Sequence, residues 1–269
     1  MASWSSASDR VGVRDDSVLA LPNVAASSRR SRSFADLHTH SRASFDSLAS
    51  PAALVRSAAS RGLTHLAITD HDRIDGALEA RDRAADLAPD LTVIVGEEVR
   101  TADGDLICLF LERAIPPGLP VEEAIADARS QGGLVGVPHP FDRFRGSLLR
   151  DARMERLAPN VDWIETHNSR VVGGSGNQRA AEFAVAHGLP GLAVSDAHSA
   201  FEVGISYTIL DGDLSTAAGL LAALPSASLV TGRASFYIRL MTPVAKLIQR
   251  RRGNGRVRPT GGAAAPAAR

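Results

Sequence analysis

Cysteine is almost missing from this chain of 269 residues: Cys108 is the only one. That excludes an internal disulfide and a zinc site built on thiolates. Cys108 stands inside the apolar run Leu106-Ile107-Cys108-Leu109-Phe110 and reads as a buried structural thiol. Net charge is missing too, since 30 Lys and Arg residues balance 30 Asp and Glu. A chain built mainly to coat nucleic acid is therefore not expected. Lysine occurs only at Lys246. No apolar run approaches the roughly 20 residues that span a bilayer. The best apolar stretch near the N-terminus, Val18-Leu19-Ala20-Leu21, is broken by Pro22 and makes a poor secretory signal. The expectation is a cytoplasmic protein with no membrane partner. No internal repeat is visible. The length and a 44% hydrophobic content suffice for one large domain with a sizeable core, or for two small ones.

What is present is a regular alternation of short apolar runs with helical stripes. Residues 1–32 are rich in Ser and Arg, have little periodicity and read as a disordered leader. Strands are predicted at Phe34–His38, Thr64–Thr69, Leu91–Val95, Asp105–Leu111, Leu134–Val137, Val161–Ile164, Gly191–Val194, Ile205–Leu210 and Ser228–Thr231. Helices are predicted after the Ser50-Pro51 cap, and at Gly76–Leu87, Val121–Gln131, Leu148–Leu157, Gly176–His187 and Leu214–Leu224. Residues 33–240 make one domain. Residues 241–269 are basic, then rich in Gly, Ala and Pro, and read as a flexible tail.

At least six β-α units in about 200 residues suit a closed or nearly closed α/β barrel better than an open sheet. In such barrels the active site lies at the C-terminal ends of the strands. Nearly every strand here ends on a candidate ligand: His38 and His40, His71, Glu98, His139, Glu165 with Asn168, and Asp196 with His198. His38 and His40 are two residues apart, so in extended chain they share a face. A face of paired imidazoles suits zinc, manganese or iron. Convergence of these groups on one mouth is the main functional signal.

The ordered set His38-Thr39-His40, Thr69-Asp70-His71-Asp72, Gly96-Glu97-Glu98, Pro138-His139-Pro140 and Ser195-Asp196-Ala197-His198 resembles the PHP (polymerase and histidinol phosphatase) domain, over roughly residues 34–232. The resemblance implies a distorted (β/α)7 barrel carrying two or three divalent ions, of Mn, Zn or Fe, that hydrolyses phosphoesters. It implies that His38, His40, Glu98 and Asp196 hold one metal. Glu98 would bridge to a second that also uses His139, and Asp46, His71 and His198 would hold a third. Asp196, His198 and His139 are also read as catalytic. Glu98 is preferred to Glu97 because the family glutamate follows the glycine by two residues. One feature departs from the family: the strand Asp105-Leu106-Ile107-Cys108-Leu109 lacks the histidine that many members carry there, which leaves two or three metals open.

Adjacent metals can lower the pKa of water and stabilise charge on a phosphoryl group during in-line displacement. Phosphate also needs cationic partners. The candidates are Arg42, Arg143, Arg145 and Arg170, with Asn168 as a further substrate-binding group. Asp70 or Asp72 is read either as orienting His71 or as capping the next helix. His65 and His187 read as structural, and His167 as a strand-end residue that faces the pocket or does not. The expected substrate is a phosphate ester of a small metabolite, a nucleotide or a short oligonucleotide, with no stable nucleic-acid complex. Two alternatives remain. One is a metal-dependent C–N hydrolase, disfavoured because its usual metal-bridging lysine is absent from the core. The other is a degenerate metal-binding regulatory domain.

Overall fold

Local chemistry sets the first helix. The Ser50 hydroxyl accepts a hydrogen bond from the Ala53 N–H at 3.2 Å, and Pro51 takes the first helical position. Cap and proline each satisfy what a helix start requires. The helix α1 (Pro51–Ser60) buries Leu54, Val55 and Ala58, and the chain reverses at Gly62, φ +74°. The computed structural model describes residues 31–142 and 152–256. Around α1 the order is β1 (Arg32–Asp36), β2 (His65–Ile68), α2 (Asp75–Leu87), β3 (Thr92–Arg100), β4 (Asp105–Leu109), α3 (Val121–Ser130), β5 (Leu134–Val137) and α4 (Ala152–Leu157). Then follow β6 (Trp163–Asn168), α5 (Ser175–His187), β7 (Gly191–Val194), β8 (Tyr207–Asp211), α6 (Ala217–Ala223), β9 (Ser228–Val230), α7 (Phe236–Arg239) and α8 (Met241–Arg251).

The strands form one sheet in the order β7-β6-β5-β4-β3-β2-β1-β8-β9. β1, β2 and β3 run parallel, as do β5, β6 and β7, while β4 is antiparallel to both of its neighbours. The sheet curls until its ends nearly meet. Thr39, just past β1, bridges in parallel to Ala197, just past β7. Lower down, the Thr208 hydroxyl of β8 donates to the Ala193 carbonyl and accepts from its N–H, both at 2.9 Å. This is the barrel expected from the sequence, distorted by the β3–β4 hairpin and by the antiparallel strands at its seam.

Alternation along the strands separates two cores, because successive side chains point to opposite faces. Leu66, Ile68, Val93, Val95, Leu106 and Cys108 pack outward against the helices. Ala67, Ile94, Ile107, Leu109, Trp163, Leu192 and Val194 fill the barrel interior. The interior packing forms an apolar floor, and the polar site stands above it.

Two predictions about the chain are corrected. β3 runs on through Gly96-Glu97-Glu98 to Arg100, and β6 runs through Glu165 to Asn168, so the ligand motifs lie within strands instead of after them. Polar residues masked these continuations, although β3 pairs regularly with β4 and β6 pairs with β7 through an irregularity between Glu165 and His167. The region after residue 240 is not all tail: Met241–Arg251 is helical, with Ala245 and Gln249 buried. Gln249 donates to the carbonyls of Arg42, Ser44 and Ser47 at 2.6, 3.1 and 2.7 Å. A polar anchor of this kind leaves no apolar periodicity to detect. The leader up to residue 30 and the segment from residue 257 onward lie outside the described residues.

Gly136 of β5 marks the tightest point of the interior. A Cβ there would lie 2.0–2.5 Å from the indole of Trp163, and Trp163 is buried in the barrel. Gly136→Ala is expected to lower stability by about 1–3 kcal/mol or more through overpacking, read as a lower urea midpoint with an unchanged slope.

Candidate metal centre

The candidate ligands arrive from several pieces of the barrel, with one pair following β1 and another following β7. His38 and His40 flank Thr39, whose hydroxyl donates to the Ala67 carbonyl at 2.6 Å. The His40 N–H donates to the Ala197 carbonyl at 2.7 Å. With Thr39 turned toward β2, the two imidazoles turn together into the mouth. Their Nε2 atoms lie 2.9 Å apart. Glu98 Oε2 is 3.2 and 3.3 Å from them, and Asp196 Oδ1 is 3.8 and 3.5 Å away. An ion holding donors at roughly 2.1 Å spaces neighbouring donors roughly 3.0–3.4 Å apart, and this set comes close to that spacing.

A second set lies beside the first. Asp46 Oδ2 is 3.4 Å from His71 Nε2 and 3.2 Å from His198 Nε2. The His198 Nδ1–H donates to the Asp196 backbone carbonyl at 2.9 Å, which fixes the tautomer and leaves Nε2 free to ligate. His38, His40 and Asp196 could hold one ion, and His40, Asp46, His71 and His198 another. His139 reaches the other oxygen of Glu98, with Nε2 3.2 Å from Oε1. Asp196 and His139 adopt left-handed backbone, φ +53° and +27°, a strained state for residues other than glycine that concentrates at functional sites.

A second tier of side chains orients the first. Glu165 accepts from His38 Nδ1 at 2.6 Å through one oxygen, and from the His139 N–H at 2.9 Å through the other. The Asn168 amide donates to Glu165 and Asp196, and its oxygen accepts from the Arg170 N–H. The Asn168 amide is thus engaged by the protein, holding Asp196 in place. Asp70 and Asp72 depart from both sequence readings. Asp70 accepts from the N–H and hydroxyl of Ser41, both at 2.6 Å, and Asp72 accepts from the Arg100 N–H. α2 starts without a side-chain cap. Gly76 permits the Asp70 contact, since a Cβ there would come within 2.1 Å of its carboxylate.

The charges compensate one another. Burial opposes ionisation of His38, but the carboxylates of Glu165, Asp196 and Glu98 outweigh it and hold the imidazolium well above its usual range. Burial would raise Glu98, yet His71 and His38 hold it well below the carboxylate range. Asp46 is depressed in the same way by His198 and His71. His198 is pushed down to about 3, by burial and also by Arg170 and His40. Nδ1 of His40, His71 and His139 is buried without a hydrogen-bond partner. A polar cluster this dense and this dry is favourable when cations bind the converging lone pairs. The residues present therefore fit the divalent ions implied by the sequence.

The site opens into a cavity of about 380 Å³ lined by Asp46, His71, Glu98, His139, Asp196 and His198, with Phe45, Asp105, Asp142, Arg170, Val172, Thr242, Lys246 and Arg256 around them. The eight residues that the sequence offers as metal ligands lie in one cluster, with His38 and His40 outside the cavity lining. Arg170 lines the cavity, with its guanidinium bound to Glu202 and to Thr242, both at 2.5 Å. Arg42 instead pairs with Glu79 on the surface. Arg143 and Arg145 lie outside the described residues. His167 Nε2 is bound to the Gly232 carbonyl at 2.9 Å, and its ring is not among the cavity lining.

Sequence reasoning missed Asp105, Lys246 and Arg256. Asp105 shares the parity of Ile107, which faces the interior opposite Glu98. Counting back by two from Ile107 would have placed a carboxylate at the mouth. The arm that carries Lys246 and Arg256 gave no comparable signal.

A nearly closed α/β barrel with histidines and carboxylates at its strand ends is an architecture able to hold divalent metal at its mouth. The sequence profile of the PHP domain matches residues 36–177, and that of the PHP-associated region matches residues 165–228. The chain belongs to the PHP family of metal-dependent phosphoesterases. An uncharacterized protein of Methanocaldococcus jannaschii is 36% identical over 146 residues, covering 50% of this chain and 81% of that protein. Among solved structures, a two-domain protein of Bacteroides vulgatus containing a predicted PHP-like metal-dependent phosphoesterase superposes with a TM-score of 0.64 at 19% identity. The match covers 75% of this chain and 65% of that one. Endonuclease Q, in complex with a duplex bearing an abasic lesion, shares the fold with a TM-score of 0.56 at 18% identity, over 73% of this chain and 57% of that chain. No helix among the described residues is long and apolar enough to cross a membrane.

Glu97 faces away from Glu98, as the alternation requires. It accepts from the Ile115 N–H at 2.9 Å, and burial pushes its carboxyl up to about 8. A carboxyl with a raised folded pKa keeps its proton in the native state while the unfolded chain has already lost it. Its contribution to stability is therefore intact below the unfolded value of 4.5 and is lost as pH rises toward 8. Glu97→Gln keeps the acceptor for Ile115 and removes this titration. Urea unfolding at pH 5 and pH 8 should show a smaller loss of stability with pH in the variant than in the parent; equal losses would refute the assignment.

Proposed function

We propose that this protein hydrolyses a phosphate ester of a small metabolite, a nucleotide or a short oligonucleotide. The carrying observation is the pair of adjacent ligand sets that share His40, set at the floor of a cavity sized for a small substrate. A volume near 400 Å³ lies at the lower end of small-molecule sites.

Divalent ions, when bound, supply Lewis acidity to the phosphoryl group and acidify a water nucleophile. His38, His40, Glu98 and Asp196 would hold one ion, and Asp46, His71 and His198 a second. His139 stands at the free edge of Glu98, facing the cavity, where it can bind a phosphoryl oxygen, a further ion or the leaving group. Glu165 keeps His38 oriented, and Asn168 keeps Asp196 oriented. Arg170 supplies positive potential from the cavity wall, tempered by Glu202.

A C–N hydrolase is the weaker reading. Lys246, the only lysine in the chain, does line the cavity, but it stands at the mouth and in neither ligand set. The test is metal analysis of the purified protein together with a panel of histidinol phosphate, 3′,5′-bisphosphonucleotides and short oligonucleotides, assayed with manganese or zinc. His38→Ala and Asp196→Asn are expected to cut kcat by roughly a hundred- to a thousandfold, with the circular dichroism of the parent. Near-normal turnover by either metal-loaded variant would refute the proposal.

A further inference from the structure

Both family matches end by residue 228, yet the chain beyond them returns to the metal centre. The arm formed by α8 and the residues after it is strapped down at three places. At its start, Thr242 accepts from Arg170 at 2.5 Å. In its middle, the buried Gln249 amide donates to the carbonyls of Arg42, Ser44 and Ser47, within the loop that carries Asp46. Near its end, Asn254 donates to the Ala43 carbonyl at 3.0 Å and accepts from Arg73 at 3.3 Å.

These anchors aim two cations into the cavity. Thr242, Lys246 and Gln249 are spaced i, i+4 and i+7, on one face of the helix. Since the first and last are tied to the barrel, Lys246 faces it too, with Nζ 5.2 Å from the centre of the Phe45 ring. Among the described residues no carboxylate lies within ion-pair distance of Lys246. Arg256 approaches the same ring, its guanidinium carbon 5.4 Å from the centre. Its Nη2 donates to Asp105 Oδ1 at 3.1 Å, at the mouth end of the strand that faces Glu98. Arg170, by contrast, is already neutralised by Glu202.

We propose that this arm is a substrate-binding element, in which Lys246 and Arg256 grip the phosphate of the ester and Asp105 positions Arg256. The assignment rests on the phosphoesterase reading above. It adds two cations that phosphate can use, beside Arg170, whose guanidinium Glu202 and Thr242 already hold. Asp105 is the positioning residue: it fixes the guanidinium against Phe45 and holds it at the edge of the cluster.

Metal content, binding of inorganic phosphate, and KM and kcat on whichever panel substrate is turned over should be measured for the parent, Lys246→Ala, Arg256→Ala and Asp105→Asn. Each cation variant is expected to weaken phosphate binding and raise KM by roughly tenfold to a hundredfold, the effect of losing one charge-assisted hydrogen bond, while kcat falls less. Lys246→Arg should recover most of the loss. Metal content should be unchanged throughout, including in Asp105→Asn. Parental phosphate affinity and KM in both cation variants would overturn the proposal. So would loss of bound metal in Asp105→Asn, because Asp105 would then be a ligand and Arg256 only its counter-ion. If no ester is hydrolysed but phosphate binding still weakens in the arm variants, the hydrolase reading fails while the arm keeps its role. Normal binding beside a working hydrolase gives the reverse.

Discussion

The barrel closes through its own candidate metal centre. The bridge that brings the end of β1 to the end of β7 pairs Thr39 with Ala197. His38 and His40 flank the first of these residues, and Asp196 and His198 flank the second. Buried Asp36 reinforces the seam by accepting from the Ser195 N–H and hydroxyl and from the Gly204 N–H. A second bridge of the same kind joins His71 to Glu98. Folding the ring and assembling the ligands are therefore one event. A shift in the closing register would move side chains to the opposite face, so a misclosed barrel would also lose its site.

Glu98 is the point on which the assembled ligands meet. One of its oxygens lies within 3.3 Å of nitrogens from His38, His40 and His71, and the other lies 3.2 Å from His139. The cost of burying so many ionisable groups is large unless they are paired or bound to cations. Without an ion, carboxylates and imidazolium groups stabilise one another. With ions, the same lone pairs become ligands and the imidazoles give up their protons. The cluster can therefore exist folded in both states, and metal binding should be linked to proton release.

Much of this was legible in the sequence because ligand chemistry and strand periodicity are local signals. The candidate ligands other than Asp46 follow apolar runs, and the spacing from Gly96 in the family motif picked Glu98 over Glu97. Strand extents were less legible. Runs such as Glu97-Glu98-Val99-Arg100 and Glu165-Thr166-His167-Asn168 look like loops when polarity is the guide, though their backbones pair in the sheet. The C-terminal arm was illegible for another reason. It is held by amide hydrogen bonds to loop carbonyls, and no sequence pattern marks which glutamine will find three of them. Asp105 stands two residues nearer the mouth than Ile107 on the same face, next to the turn residues that precede its strand in the sequence.

The strained residues explain why so much of the chain is spent on holding a few side chains. Asp196 and His139 sit at positive φ, and His139 is clamped between Pro138 and Pro140. Left-handed backbone costs roughly 1–3 kcal/mol at each such residue, and local hydrogen bonds from His198 and Asp142 offset only part of it. Tertiary contacts add to them. Glu165 binds the His139 N–H and, through Asn168, also steadies Asp196. That one carboxylate also orients His38, so β6 enforces the geometry of candidate ligands that follow β1, β5 and β7 while supplying no member of either donor set. Strain at two of the candidate ligands and a restraint shared by three of them hold the cluster in one shape, which would lower the reorganisation that binding an ion requires.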